Sequence, residues 1–440
     1  MSESSAQHQP AVPAYEAEPA FAAVPERTHW RYVPRRAFWR SKVVRLVAVF
    51  TVLALCGLVL LALVREQTGT EGFLVGLGLA TLPVPLLMAA FRWLDRVEPG
   101  PWRNLLFAFG WGAFAATLVA IVANTFATRW IATATADPTS ADTLGATVIA
   151  PVVEESGKAA AIMLLFLFRR REFGGLVDGV VIAGFTATGF AFTENILYLG
   201  NAFGEDQEFG SSGIGSVTAA TFFVRIVMSP FAHPLFTVLT GIGFGVAAML
   251  ARRRRVLRTL LPIVGLALAM GMHALWNGSA SLLGPWGFYA VYGAFMVPAF
   301  GLLTWLAIWS RQRELRTISG ALPAYAAAGW LSPAEPLALS SMRARGMARD
   351  FAARTYGPAA ARAVVEYEAF ATTLAFLRHR AHRGAAGPDF MAREQELLHH
   401  LWQRKAVAGP SLTYAARATG RVWTPPPHLD YDGAYNPYRA

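Results

Sequence analysis

Charge is what this sequence has least of: Asp, Glu, Lys and Arg make up 15% of its 440 residues, against roughly 25% in soluble domains. With 54% of the chain apolar, there is too little polar surface to cover a soluble protein of this length, and the chain calls for lipid. Cysteine is almost missing. The single Cys56 excludes a disulfide framework and a cysteine-ligated metal site. A cleavable leader is not expected either, because the first thirty or so residues are rich in Pro, Ala and Glu and contain no apolar core. They read as a disordered basic tail over 1–42. The first apolar block, 44–64, is too long for a cleaved signal and is expected to stay as an anchor.

What the chain has instead is a series of apolar blocks, each near the roughly 20 residues that cross a bilayer. They fall at 44–64, 73–91, 104–126, 146–168, 176–199, 218–250, 259–280 and 286–310. The expected fold is therefore all-α, a polytopic transmembrane bundle of about eight spans within 43–310. The sixth block exceeds one span and holds Pro230 and Pro234, which predicts a tilt, kink or break. Arginine sets the orientation. Arg35, Arg36, Arg40 and Lys42 precede the first span; Arg92, Arg96 and Arg103 follow the second, Arg169, Arg170 and Arg171 the fourth, Arg252, Arg253, Arg254 and Arg255 the sixth, and Arg311, Arg313 and Arg316 the eighth. Every second loop is basic, while the alternate ones carry acids such as Glu205, Asp206 and Glu208. By the positive-inside rule both termini are cytoplasmic, in the cell membrane. The same pattern accounts for the formal charge of +11 through anionic lipid, with no nucleic-acid partner required.

Beyond residue 311 the periodicity becomes that of amphipathic helices. Val364, Tyr367, Phe370, Leu374 and Leu377 share one face; Phe390, Leu397 and Leu401 share another. Gly384 and Pro388 separate them, which predicts an antiparallel helical pair in a cytoplasmic region over 311–422, ahead of a Pro-rich tail over 423–440.

Ionisable residues inside spans cost several kcal/mol each and need a partner or a task. Here they cluster: Glu154, Glu155 and Lys158 in span four; Asp178, Glu194 and Asn195 in span five; Arg225 and His233 in span six; His273 and Asn277 in span seven. At 1.5 Å per residue, Glu154, Glu194 and His273 all lie roughly 8–12 Å inside the outer boundary, although successive spans run in opposite directions. His233 joins that level only with a tilt or break at Pro230. Three carboxylates at low dielectric repel one another unless positive charge neutralises them. Lys158, four residues after Glu154, supplies part of it, and a divalent cation can supply the rest. Two histidines with a glutamate form the open, three-ligand zinc site that leaves one position for water, and a further glutamate can take that water's proton. The structural alternatives are a buried ion-pair triplet for Glu154, Glu155 and Lys158 and interhelical hydrogen bonds for Glu194 and Asn195. Asp178 and Arg225 read as structural or interfacial groups. Gly179, Gly184, Gly189, Gly241, Gly243 and Gly245 read as helix-packing positions, not as a phosphate loop.

In order along the chain, Glu154-Glu155-Ser156-Gly157-Lys158, Asp178-Gly179, Gly189-Phe190-Ala191-Phe192-Thr193-Glu194-Asn195, His233-Pro234-Leu235-Phe236-Thr237 and His273-Ala274-Leu275-Trp276-Asn277 resemble the PrsW family of intramembrane proteases. Arg96-Val97-Glu98-Pro99 is similar to that family's loop before the first motif. The layout is also similar to that of the CAAX-processing prenyl endopeptidases, except that Glu194 stands where those relatives carry histidine. The resemblance implies a metalloprotease acting on membrane-anchored proteins, an anti-sigma factor in the founding branch. On this basis Glu154 or Glu155 is expected to activate water, and Glu194, His233 and His273 to hold a divalent metal, zinc being expected, or to polarise the scissile carbonyl. Asn277 is expected to orient His273 or stabilise the oxyanion, and Lys158 to set the charge of the glutamate pair. An ion-coupled transporter and a noncatalytic scaffold are the alternatives from other classes.

Overall fold

The computed structural model describes residues 42–169, 172–251, 253–282, 284, 286–384, 387 and 389–421, and no strand occurs among them. The expected N-terminal tail with Arg35, Arg36 and Arg40, the loop residues Arg170, Arg171 and Arg252, Pro388 and the Pro-rich tail lie outside the described residues. Two compact units divide the chain between Thr317 and Ile318.

The first unit is a helical bundle. Helix α1 (Lys42–Thr81) is broken at Gly69, whose backbone has φ 72° and ψ 170°, a conformation open to glycine. Helix α2 (Pro83–Leu94) follows. Helix α3 (Trp102–Gly110) runs through a π-turn, Trp111–Ala116, into α4 (Thr117–Thr135). The short α5 (Pro138–Leu144) runs through a second π-turn, Gly145–Ile149, into α6 (Ala150–Phe168). Then come α7 (Leu176–Phe209), α8 (Val217–Phe222) with a third π-turn, Phe223–Met228, and α9 (Ala232–Met249). The unit closes with α10 (Arg255–Leu282), α11 (Gly287–Val291), a fourth π-turn, Tyr292–Met296, and α12 (Val297–Ala321) as far as Thr317.

Six helical stretches among the described residues are long and apolar enough to cross a membrane: Val47–Leu94, Trp102–Thr135, Leu176–Phe209, Val217–Met249, Arg255–Ser279 and Gly287–Ala327. Eight spans were expected, and the difference has two physical sources. Val47–Leu94 is 48 residues long and contains both of the first two expected spans, with Gly69 between them. The fourth expected span is α6, an apolar helix set apart from those six by its three charged residues, Glu154, Glu155 and Lys158. The fold is thus a multi-pass all-α membrane bundle.

Helix α7 is its centre, with 89% of its most apolar stretch buried against α1, α3, α6 and α9. Small residues make this possible. A Cβ on Gly179 would lie 2.0 Å from the Gly241 carbonyl oxygen, and one on Gly241 would lie 2.3 Å from that of Gly179, so α7 and α9 meet backbone to backbone. Gly179→Ala is expected to force them apart at about 3 kcal/mol, read as a lower thermal unfolding temperature in detergent. Gly271→Ala on α10, where a Cβ meets nothing within 4 Å, is the control and should be neutral or slightly stabilising.

The second unit comprises α13 (Pro323–Ala327), α14 (Ala334–Leu339), α15 (Met342–Tyr356), α16 (Pro358–His382) and α17 (Phe390–Ala418). Helices α16 and α17 are antiparallel, because partners advance on one as they recede on the other. Glu366 pairs with Arg404 at 2.6 Å, Phe370 stacks on His400 with centroids 4.4 Å apart, and Arg378 meets Glu394 at 3.3 Å. Val364, Tyr367, Leu374, Leu377, Phe390, Leu397 and Leu401 are buried. Polar groups go inside with them: Glu335 accepts from the Tyr367 hydroxyl at 3.0 Å, Arg345 donates to Thr372 Oγ1 at 2.8 Å, and Tyr325 donates to Glu394. Burial pushes the carboxyls of Glu335, Glu368 and Glu394 above the usual range.

Candidate active site

Four helices of the first unit bring the polar residues together. Helix α6 presents Glu154, Glu155 and Lys158, with Glu155 and Lys158 fully buried. Helix α7 presents Phe190 and Glu194, one helical turn apart. His233 comes from the first turn of α9, and that turn exists because Ser229, Pro230 and Phe231 interrupt the helix after the third π-turn. The break expected at Pro230 is therefore present, and it starts a new helix at the level of the glutamates. Pro234 is tolerated in that first turn, where its missing N–H has no helical partner to lose. Helix α10 supplies His273.

Glu155 is saturated. Its Oε1 accepts from Lys158 Nζ at 2.8 Å and from His273 Nδ1 at 3.1 Å, while its Oε2 accepts from Thr237 Oγ1 at 2.9 Å. An ionised carboxylate only accepts, so His273 Nδ1 carries the hydrogen and Nε2 keeps a free lone pair. That Nε2 lies 3.9 Å from Glu154 Oε2. Glu154 Oε2 is itself buried and has no hydrogen-bond partner. An unsatisfied buried carboxylate oxygen is costly unless something binds it. Adjacent residues on a helix point about 100° apart, and the two glutamates accordingly differ: one is held, the other is available.

His233 has the mirrored arrangement. Its Nε2 lies 2.7 Å from Glu194 Oε2, and its Nδ1 lies 3.2 Å from Lys158 Nζ. The lysine can only donate, so the Nε2 hydrogen goes to Glu194 and Nδ1 is the acceptor. Lys158 Nζ also sits 3.6 Å from Glu154 Oε2 and 3.9 Å from the centroid of the Phe190 ring, a cation–π contact. Phe236 stacks on His273 at 4.8 Å and fixes its ring plane.

Glu154, His233 and His273 offer ligand atoms that all lie within 4.8 Å of one another. Tetrahedral bonds near 2 Å place donors about 3.3 Å apart, so small side-chain rotations bring these three to a cation. The donor set fits. Each histidine has its second ring nitrogen tied to a glutamate, His273 to Glu155 and His233 to Glu194, the arrangement that orients metal-binding imidazoles. Lys158 is the competing positive charge.

Two expected site residues are placed differently. Glu194, expected among the ligands, is joined to Nε2 of His233 and to the guanidinium of Arg225, and Glu154 is the carboxylate grouped with His233 and His273. Asn277, expected to orient His273 or stabilise the oxyanion, donates from Nδ2 to the Ala146 carbonyl at 2.9 Å. It sits a full turn farther along α10 and ties that helix to the second π-turn. Asp178 accepts from the Gly174 and Gly175 N–H groups and caps the start of α7. Sequence reasoning missed Thr237 as a partner of Glu155, although it lies four residues after His233 and hence on the same face of α9.

Residues 100–303 match the family model described as the PrsW family intramembrane metalloprotease. Protease PrsW of Geobacillus kaustophilus (strain HTA426) is 25% identical over 250 residues, which cover 56% of this chain and 92% of that relative. No solved structure matches the chain. The matched segment contains every residue of the cluster, from Glu154 to Asn277, and over this segment the chain is similar to the PrsW family of membrane proteases.

Proposed function

We propose that this chain is an intramembrane endopeptidase that cleaves membrane-anchored proteins at a divalent-metal centre held by Glu154, His233 and His273. The observation that carries the reading is the convergence of one free carboxylate oxygen and two glutamate-oriented imidazoles within 4.8 Å. Borderline nitrogen and oxygen donors suit zinc. A cation there would supply a Lewis acid that lowers the pKa of water to about 7. The chain's own residues do the rest. Glu155 and Glu194 hold the two rings in their binding tautomers, and Lys158 balances the charge of the glutamate pair. The Phe190 and Phe236 rings wall the pocket against bulk water. Glu154, whose buried Oε2 has no hydrogen-bond partner, would hold the cation through one carboxylate oxygen and would position and deprotonate the attacking water through the other.

Similarity to a protease family supports a hydrolase over the transporter and scaffold alternatives. An anti-sigma factor is the substrate class that the family resemblance suggests, and the arginine pattern supports a cell-membrane protein with both termini in the cytoplasm. Purified protein is expected to carry one divalent cation per chain, to lose cleavage in chelator and to regain it with zinc. Full activity in metal-free, chelator-treated protein would contradict the metal centre.

A further inference from the structure

Arg225 lies in the π-turn Phe223–Met228, and it is an expensive residue to keep at membrane depth. Its guanidinium is fully specified by one face of α7. Nε donates to Asn195 Oδ1 at 2.8 Å, an Nη donates to Glu194 Oε2, and the Tyr198 ring lies 3.8 Å beneath the central carbon. Glu194 Oε2 is thus shared between Arg225 and His233 Nε2. Resting on the site proposed above, we infer that Arg225 is a positioning residue: acting through Glu194, it locks the His233 ring so that Nδ1 faces the Glu154–His273 pair.

The chemistry favours a lock over a counter-ion. Any cation would neutralise Glu194, but only the planar guanidinium fork can satisfy Asn195 and Glu194 at once while lying flat on Tyr198. Geometry adds a second point. A π-turn offsets the residues after it relative to a regular helix, and this one ends at the break that starts α9 one turn before His233. The same irregularity therefore sets the position of the arginine and of the ring it steadies. Without the fork the Glu194 carboxylate is free to rotate, and His233 loses the acceptor that fixes its orientation.

The test uses the full chain in detergent or nanodiscs, with a membrane-anchored peptide reporter. Arg225→Gln and Arg225→Lys are both expected to lower kcat by about 10–100-fold, the usual loss when the group behind a metal-binding histidine is removed, with KM little changed. Ring-nitrogen NMR of His233, assigned by its loss in His233→Asn, should show a single Nε2–H tautomer in the parent and a mixture in both variants; this readout needs no metal and no turnover. Because Arg225 works through Glu194, the double variant Arg225→Gln/Glu194→Gln should be no slower than Glu194→Gln alone. A folded Arg225→Lys protein with parental kcat and tautomer would reduce the arginine to a counter-ion and overturn the assignment, as would full additivity in the double variant. Should Arg225→Gln fail to fold, Arg225→Lys decides alone. Failure of the site itself shows elsewhere, as undiminished cleavage by Glu154→Gln, and so is distinguishable.

Discussion

Glu154→Gln is expected to abolish cleavage, by about 10²–10⁴-fold, in a protein that still folds. The substitution keeps shape and removes charge at a carboxylate whose buried Oε2 has no hydrogen-bond partner. Whether Glu154 ligates a cation, takes the proton of the attacking water or does both, a neutral amide performs neither task. Folding survives because Lys158 retains its closer bond to Glu155 at 2.8 Å, compared with 3.6 Å to Glu154. Glu155→Gln should differ in kind. It breaks the hydrogen bonds that hold His273 and Lys158, so activity falls by about 10–100-fold through misorientation and stability falls with it. Cleavage assays paired with thermal unfolding separate the two glutamates; equal losses of activity and stability in both variants would contradict the division of labour.

Lys158→Met is expected to destabilise the bundle by about 3–5 kcal/mol, the range found when one partner of a buried ion pair is removed. Lys158 is completely buried, and its ammonium is the positive charge closest to Glu154 and Glu155, as well as a donor to His233. Methionine fills the space and keeps contact with Phe190, leaving charge as the difference. The double variant Lys158→Met/Glu155→Gln removes both ends of the closer pair and should recover much of the loss, since replacing a whole buried pair is often nearly neutral. Thermal unfolding of the two variants in one detergent checks this. A single variant as stable as the parent would show that the lysine's charge does not hold the glutamates in place.

Much of the site was legible in the sequence because membrane depth makes polar residues conspicuous. Glu154, Lys158, His233 and His273 stood out through the cost of burying them, and Pro230 announced the break that brings His233 level with the glutamates. The apolar faces of α16 and α17 followed from spacing alone. The detailed roles did not, since they depend on how each helix is rotated. Glu155 is occupied only because Thr237 on α9 and His273 on α10 both face it, and helix rotation cannot be read across four spans. The π-turns add to this, each shifting the residues after it by an amount no regular period predicts. Arg225 read as structural for that reason: its partners on α7 come within reach only through the turn at Phe223–Met228. Gly69, flanked by Thr68 and Thr70 in the gap between the first two apolar blocks, carries a positive φ that sequence pattern did not reveal.

X-ray absorption spectroscopy of the zinc-loaded protein tests the centre most directly. The predicted first shell contains two imidazole nitrogens and a carboxylate oxygen at about 2.0–2.2 Å, with the imidazole signal reduced in His273→Ala. Absence of stoichiometric zinc, or a shell unchanged by His273→Ala, would contradict a metal centre at Glu154, His233 and His273.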